Sequence, residues 1–368
     1  MMSNKILFLA RDPGGANAIA PIILSLKEKF NVAVIAREYA KDIFEKNGIA
    51  YEPIQGEISK KTIREMLEET APQLIITGTS ADDFFEKYAW LAAKELNIKS
   101  IAILDQWVNY GVRFSEYSLG DIERFETDHK MDYLPDYICV MDEIAKQGAK
   151  ADGIPESIIR ITGQPYLETF KDQLLHIGRD RIMEIRDLYG VKDEDKLVVF
   201  ASEDISKTYD DDIDNPYWGY NERTIFPKIV NALKGIKLFD SKIQVVIRPH
   251  PKEEIEYWKR YVKDNNCDCK IDNSLESKEV IVAADLIIGM QSMFLLEAVL
   301  AEKPVMSVQI GLKRKNPLVL CKLGVVQTVY DEKELYGCIE DQIKPCKFEW
   351  NVADNAIRKV CDLVEEII

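Results

Sequence analysis

Ile6-Leu7-Phe8-Leu9-Ala10-Arg11-Asp12-Pro13-Gly14-Gly15-Ala16-Asn17 is the stretch from which the rest of the chain is read. Ile6–Ala10 has the length and the unbroken apolar character of a strand buried on both faces, and a polar turn with paired glycines follows it. Ala18–Lys29 then carries Ile19, Ile22, Ile23 and Leu26 at helical spacing, and Val32–Ala36 is apolar and strand-sized again. Strand, turn, helix, strand is the repeating unit of a parallel sheet covered by helices.

The alternation continues outward. A helix near Glu38–Asn47 is ended by Gly48. Leu74–Thr77, Ser100–Leu104 and Tyr137–Val140 read as strands, with a helix over Phe84–Leu96. The pattern changes near Arg160–Phe170. It restarts over Lys196–Ala201, Ile225–Ile236, Gln244–Arg248, Glu254–Asp264, Val280–Ala283, Leu286–Gly289, Met293–Ala301 and Val305–Val308. The segment 351–368 ends the chain with Val352, Ile357, Val360, Val364 and Ile367 at helical spacing. The predicted class is α/β. Two Rossmann-like doubly wound domains, residues 1–168 and 169–368, face each other across a central cleft, and the last helix is free to pack back on the first domain.

A length of 368 residues fits two domains. With 48 Lys and Arg against 63 Asp and Glu, the formal charge is −15, which argues against non-specific nucleic-acid binding but leaves room for a local basic pocket. The longest apolar runs are strand-sized, so neither a membrane span nor a signal peptide is read, and a cytoplasmic protein is expected. The 7 cysteines are scattered; only Cys267 and Cys269 lie close together, and reduced thiols are expected.

Four segments carry candidate chemistry. In the first loop, Arg11, Gly14, Gly15 and Asn17 sit where the backbone can approach an anion at a helix N-terminus, although the loop is neither G-x-G-x-x-G nor a P-loop. In Val245-Val246-Ile247-Arg248-Pro249-His250-Pro251-Lys252, the steps of two put Arg248, His250 and Lys252 on one side of an extended segment, an arrangement suited to a pyrophosphate. Asp285–Ala298 reads as strand, turn and helix. There Gly289, Gln291, Ser292 and Met293 are candidates to meet phosphate, Ser292 as a helix cap, and Glu297 to meet a ribose diol or else solvent. Asp105 ends a buried strand ahead of Trp107, Tyr110 and Arg113, so it is the preferred general base, with the aromatics and Arg113 as sugar or acceptor contacts. Asp82 and Asp83 compete for that role or cap the helix that follows; Asp12 and His129 are weaker candidates. The acidic, aromatic stretch Glu203–Tyr220, with Asp204, Asp210, Asp211, Asp212, Asp214, Tyr209, Tyr217 and Trp218, reads as a solvated loop or lid, since its spacing matches no calcium loop.

Arg248-Pro249-His250-Pro251, then Ser292–Ala298 ahead of Lys303-Pro304, with Thr162-Gly163-Gln164-Pro165 earlier in the chain, resembles the GT-B enzymes. Within them it is most similar to the branch of UDP-N-acetylglucosamine 2-epimerases, CDP-glycerol glycerophosphotransferases and capsule sugar transferases. The resemblance implies that these segments hold the diphosphate of an activated donor and that no cofactor or essential magnesium is needed. It departs at Gly289-Met290-Gln291-Ser292, at Val305 where many retaining transferases carry a second Glu, and at Ile103–Phe114, where an epimerase-like His-x-Glu-Ala-Gly-x-Arg segment is expected.

Three functions stay open. The first is an inverting, metal-independent glycosyltransferase of surface polysaccharide or glycoconjugate synthesis, moving a sugar or polyol from a diphosphate-activated donor to a carbohydrate or lipid-linked acceptor hydroxyl. The others are a UDP-GlcNAc 2-epimerase-like enzyme and a catalytically inactive GT-B binding protein. Peripheral membrane association and homo-oligomers are compatible with each.

Overall fold

A computed structural model describes residues 4–210, 215–236, 242–341, 352 and 354–368. Asp211, Asp212, Asp214 and Cys346 lie outside the described residues. The chain divides into two compact units, residues 1–169 with 351–368, and residues 170–350.

The first unit is built on β1 (Lys5–Ala10), β2 (Asn31–Ala36), β3 (Glu52–Pro53), β4 (Leu74–Thr77), β5 (Lys99–Ile103), β6 (Tyr137–Val140) and β7 (Ile159–Ile161). They pair in parallel in the order β3-β2-β1-β4-β5-β6-β7. Winding runs outward from β1 to β3, then crosses back to place β4 on the other side of β1, so its direction reverses between β1 and β4. Ile6 through Ala10 are buried because helices cover both faces, which is why that run is unbroken.

The first helix spans Pro13–Leu26, five residues ahead of the predicted start at Ala18. Proline at the first helical position forgoes an N–H that would have no partner there anyway, so the glycines belong to the first turn of the helix and not to a loop. β3, β7 and the later short strands are too brief for periodicity to detect. Val280–Ala283 belongs to the helix Ser277–Ala283.

The second unit holds β8 (Lys196–Ala201), β9 (Ile243–Arg248), β10 (Cys269–Ile271), β11 (Leu286–Gly289), β12 (Val305–Val308) and β13 (Gln327–Val329). These too are parallel, in the order β10-β9-β8-β11-β12-β13, with the reversal between β8 and β11. Both units are Rossmann-like.

The final helix, Ala356–Ile367, belongs to the first unit: Val360, Leu363 and Val364 join Ile19, Ile22, Ile23 and Leu26 in one apolar core. Gly163 (φ +93°) is the crossing point. A Cβ there would lie 2.8 Å from both the Ala356 Cβ and the Val352 carbonyl, and Gln164 N donates to that carbonyl at 2.8 Å.

Candidate functional site

Open parallel sheets bind ligands beyond the carboxyl ends of their strands, where winding reverses. In the first unit that place lies after β1 and β4. Gly15 packs on Gly78 so tightly that a Cβ on Gly15 would lie 2.9 Å from the Gly78 Cα, and a Cβ on Gly14 would overlap Asp105 Oδ2. Asp105 follows β5 and is buried. Its Oδ1 accepts from Arg113 Nη1 at 3.1 Å, and the same Nη1 donates to the Thr79 carbonyl at 2.6 Å and Thr79 Oγ1 at 3.1 Å. Gln164 Nε2 donates to the Asp105 carbonyl at 3.2 Å. The preferred base therefore has one oxygen fixed by a buried guanidinium and the other against the first turn of a helix. Arg113 is buried to the same degree as Asp105 and is engaged in holding it.

The neighbouring residues differ from expectation. Arg11 does not reach for an anion, because Asp12 (2.8 Å), Glu38 (2.7 Å) and Asp83 (3.5 Å) surround its guanidinium. Asp83 Oδ1 accepts from Phe85 N at 2.7 Å, so it caps the helix Phe85–Glu95, and Asp82 Oδ1 accepts from Leu119 N at 2.9 Å. Asn17 is half-buried on the first helix. Trp107 is buried with its Nε1 on Asp142 Oδ2 at 2.9 Å, and Tyr110 is buried with its ring against Gly148; neither presents a face to a sugar. His129 ends the helix Ile122–Asp128 with Nδ1 3.2 Å from the Asp152 carbonyl, apart from these groups.

One residue here escaped the sequence reading. Glu86 is fully buried, and its Oε1 accepts from Arg11 N (3.1 Å) and Ser80 Oγ (3.0 Å). Burial, followed by the charge of Asp12, pushes its carboxyl up to about 7. Its position within a helix hid it.

In the second unit the reversal lies after β8 and β11. Ser292 caps the helix Met293–Leu300 by accepting from Phe294 N at 3.2 Å, and Glu297 is buried one turn along. The turn after Gly289 already holds a carboxyl group: Glu203 Oε1 accepts from Met290 N at 3.2 Å and Gln291 N at 2.7 Å. These are amides that a phosphate would otherwise meet. Burial, reinforced by Glu222 and Glu253, pushes Glu203 up to about 8. Glu253 is raised to about 7 by burial and accepts from His250 N at 2.6 Å, Ser202 Oγ at 2.8 Å and Trp258 Nε1 at 3.0 Å.

Arg248, His250 and Lys252 do not line one side of a strand. The chain turns after His250, where Glu253 N donates to the His250 carbonyl at 2.9 Å and Lys252 N donates to His250 Nδ1 at 3.2 Å. Arg248 points to the loop after β10, donating to Asp272 Oδ2 (3.0 Å), the Asp272 carbonyl (3.2 Å) and the Leu275 carbonyl (2.5 Å). In the stretch Glu203–Tyr220, the described aromatics pack on one another: Tyr209 stacks on Tyr217 at 4.7 Å, Trp218 meets both edge-on, and Trp218 and Tyr220 are buried. An acid two residues beyond an apolar strand at a point of reversal is the signal that would have singled out Glu203.

No family model and no curated protein matches this chain. Solved structures do. The UDP-GlcNAc 2-epimerase of Methanocaldococcus jannaschii matches at 17% identity and a TM-score of 0.68, covering 98% of this chain and 99% of that one. The UDP-GlcNAc 2-epimerase of Neisseria meningitidis, solved bound to UDP-GlcNAc, matches at 15% identity and 0.69, covering 98% and 100%. HepE from Anabaena, solved with UDP and glucose, matches at 14% and 0.63, covering 99% and 98%. At these identities the likeness is one of fold. This chain shares with those proteins a fold of two Rossmann-like units. Among the described residues, no helix is long and apolar enough to cross a membrane.

Proposed function

We propose that this chain is an enzyme acting on a nucleotide-diphosphate sugar, with 2-epimerase-type chemistry ahead of the sugar transfer expected from sequence. The observation that carries this reading is the likeness over 98% of the chain to UDP-GlcNAc 2-epimerases, one of them solved with that sugar nucleotide bound. Inverting a hydrogen-bearing carbon requires a proton to leave on one face and return on the other, so oriented acids and bases are needed. Asp105 is the base we assign. Arg113 and Thr79 set its direction, and the first turn of the helix Pro13–Leu26 lies against it. Glu86, its carboxyl raised to about 7, adds no charge below that pH to the Arg11–Asp12 segment that its Oε1 anchors. The diphosphate is assigned to Ser292 and Met293 at the start of the helix Met293–Leu300, beyond the two amides that Glu203 occupies, with His250, Lys252 and Glu297 near the nucleotide. Below about pH 8 a protonated Glu203 leaves the turn before that helix without a competing negative charge.

The test is UDP-GlcNAc incubated in deuterated water without acceptor. Formation of the 2-epimer carrying deuterium at C2 is expected. Release of UDP only when an acceptor is supplied would instead establish transfer. That second reading draws support from Ile103–Phe114, which lacks the epimerase-like segment, and from the HepE complex with UDP and glucose. Failure of any UDP-sugar to raise the melting temperature would sink both.

A further inference from the structure

Cys267 and Cys269 stand apart from the other described cysteines. Cys139, Cys321, Cys338 and Cys361 each occupy a different element, whereas the Cys267 and Cys269 sulfurs lie 2.7 Å apart, against about 2.05 Å for the covalent bond. The backbone imposes this closeness. Cys267 N donates to the Val262 carbonyl at 3.0 Å as the helix Ile255–Asp264 ends, and Cys269 N donates to the Cys267 carbonyl at 2.8 Å, a tight turn that puts residues i and i+2 on one side. Cys267 is 8% exposed and Cys269 is partly exposed, at the start of the edge strand β10.

We propose that Cys267 and Cys269 form a reversible intrachain disulfide, a thiol–disulfide exchange site whose co-reactant is a low-molecular-weight disulfide such as oxidised glutathione. In the first step the Cys269 thiolate attacks that disulfide, forming a mixed disulfide and releasing one glutathione. Cys267 Sγ then attacks the Cys269 sulfur and releases the second. Two protein thiols and one oxidised glutathione become one protein disulfide and two reduced glutathiones; both protons and both electrons end on the released thiols. Burial and the adjoining Cys267 sulfur hold the Cys269 thiol well above its usual range, so exchange is slow at neutral pH and quickens as pH rises. The site lies at the head of β10, whose far end leads into Asp272, the residue that grips Arg248 and accepts from Tyr189 Oη at 2.9 Å. The pair therefore borders the loop against which the β9 terminus is braced.

The experiment equilibrates the full chain in glutathione buffers of graded reduced-to-oxidised ratio, quenches with acid and maleimide, and maps peptides by mass. In oxidising buffer the peptide holding both cysteines is expected unlabelled and lighter by two hydrogens, with full labelling restored by dithiothreitol. Cys267→Ser should leave a stable glutathione adduct on Cys269. Labelling of both cysteines at every ratio, or a wild-type peptide that keeps one bound glutathione without closing, would overturn the proposal. The wild-type measurement decides even if the variant folds poorly, and it does not depend on what the protein catalyses.

Discussion

Glu203 spends the amides of Met290 and Gln291 on a carboxyl group of the chain itself, and its raised pKa makes that arrangement visible in stability. A native carboxyl held near 8 keeps a proton that the unfolded chain releases near pH 4, so folding is favoured below that window and loses stability as pH rises through it, levelling off above about 8. Glu86 and Glu253, both raised to about 7, act in the same sense. Asp272, lowered by its hydrogen bonds despite burial, acts oppositely but only below about pH 4. The melting temperature is therefore expected to peak near pH 5 and to fall toward pH 8. Glu203→Gln should raise it at pH 8 and leave it nearly unchanged at pH 5. An equal effect at both values would mean that the wild-type carboxyl is not protonated.

Asp105 allows a comparable test. Asp105→Asn should spare nucleotide binding and lower turnover by about 10²–10⁴-fold, as expected for loss of a general base, read as kcat against KM. Arg113→Met should instead cost about 3–5 kcal/mol of stability, measured by urea unfolding, because Asp105 would lose the guanidinium that its buried carboxyl group is paired with.

At the level of elements, the first turn of the helix Pro13–Leu26 is where sequence and chemistry meet. Gly14→Ala must displace Asp105 or the helix, and is expected to cost about 1–3 kcal/mol together with much of the activity, whereas Gly337→Ala, inside the helix Glu332–Asp341, has open space around it and should leave activity intact. Activity at the wild-type level in Gly14→Ala would separate Asp105 from the chemistry. The long strands and amphipathic helices of both units were legible because burial on two faces writes an unbroken apolar run into the sequence. What could not be read was the direction of side chains beyond the strand ends. The sequence puts Arg248, His250 and Lys252 at alternate positions, but the turn closed by Glu253 and the carboxylate of Asp272, residues away in sequence, decide where they point. Trp107 and Tyr110 likewise look like sugar platforms until Asp142 and Gly148 are seen to claim them.

At the scale of the whole molecule, the first unit is made of two stretches of chain, with residues 170–350 between them. The final helix supplies Val360, Leu363 and Val364 to its core, and Lys29 Nζ meets Glu365 at 2.7 Å. Truncation after Trp350 is expected to abolish slow amide exchange throughout residues 5–161 while leaving β8–β13 protected, as measured by hydrogen-exchange mass spectrometry. Retained protection in β1 would show the helix to be dispensable.

That interleaving has a consequence during synthesis. The half translated first is the half completed last, since its missing wall emerges only with the closing residues, and until then the groove that receives the final helix stands open to water and to chaperones. The described strands of the second unit, β8–β13, all precede that helix in the chain. Assembly order on the ribosome is thus the reverse of reading order, set by one terminal helix.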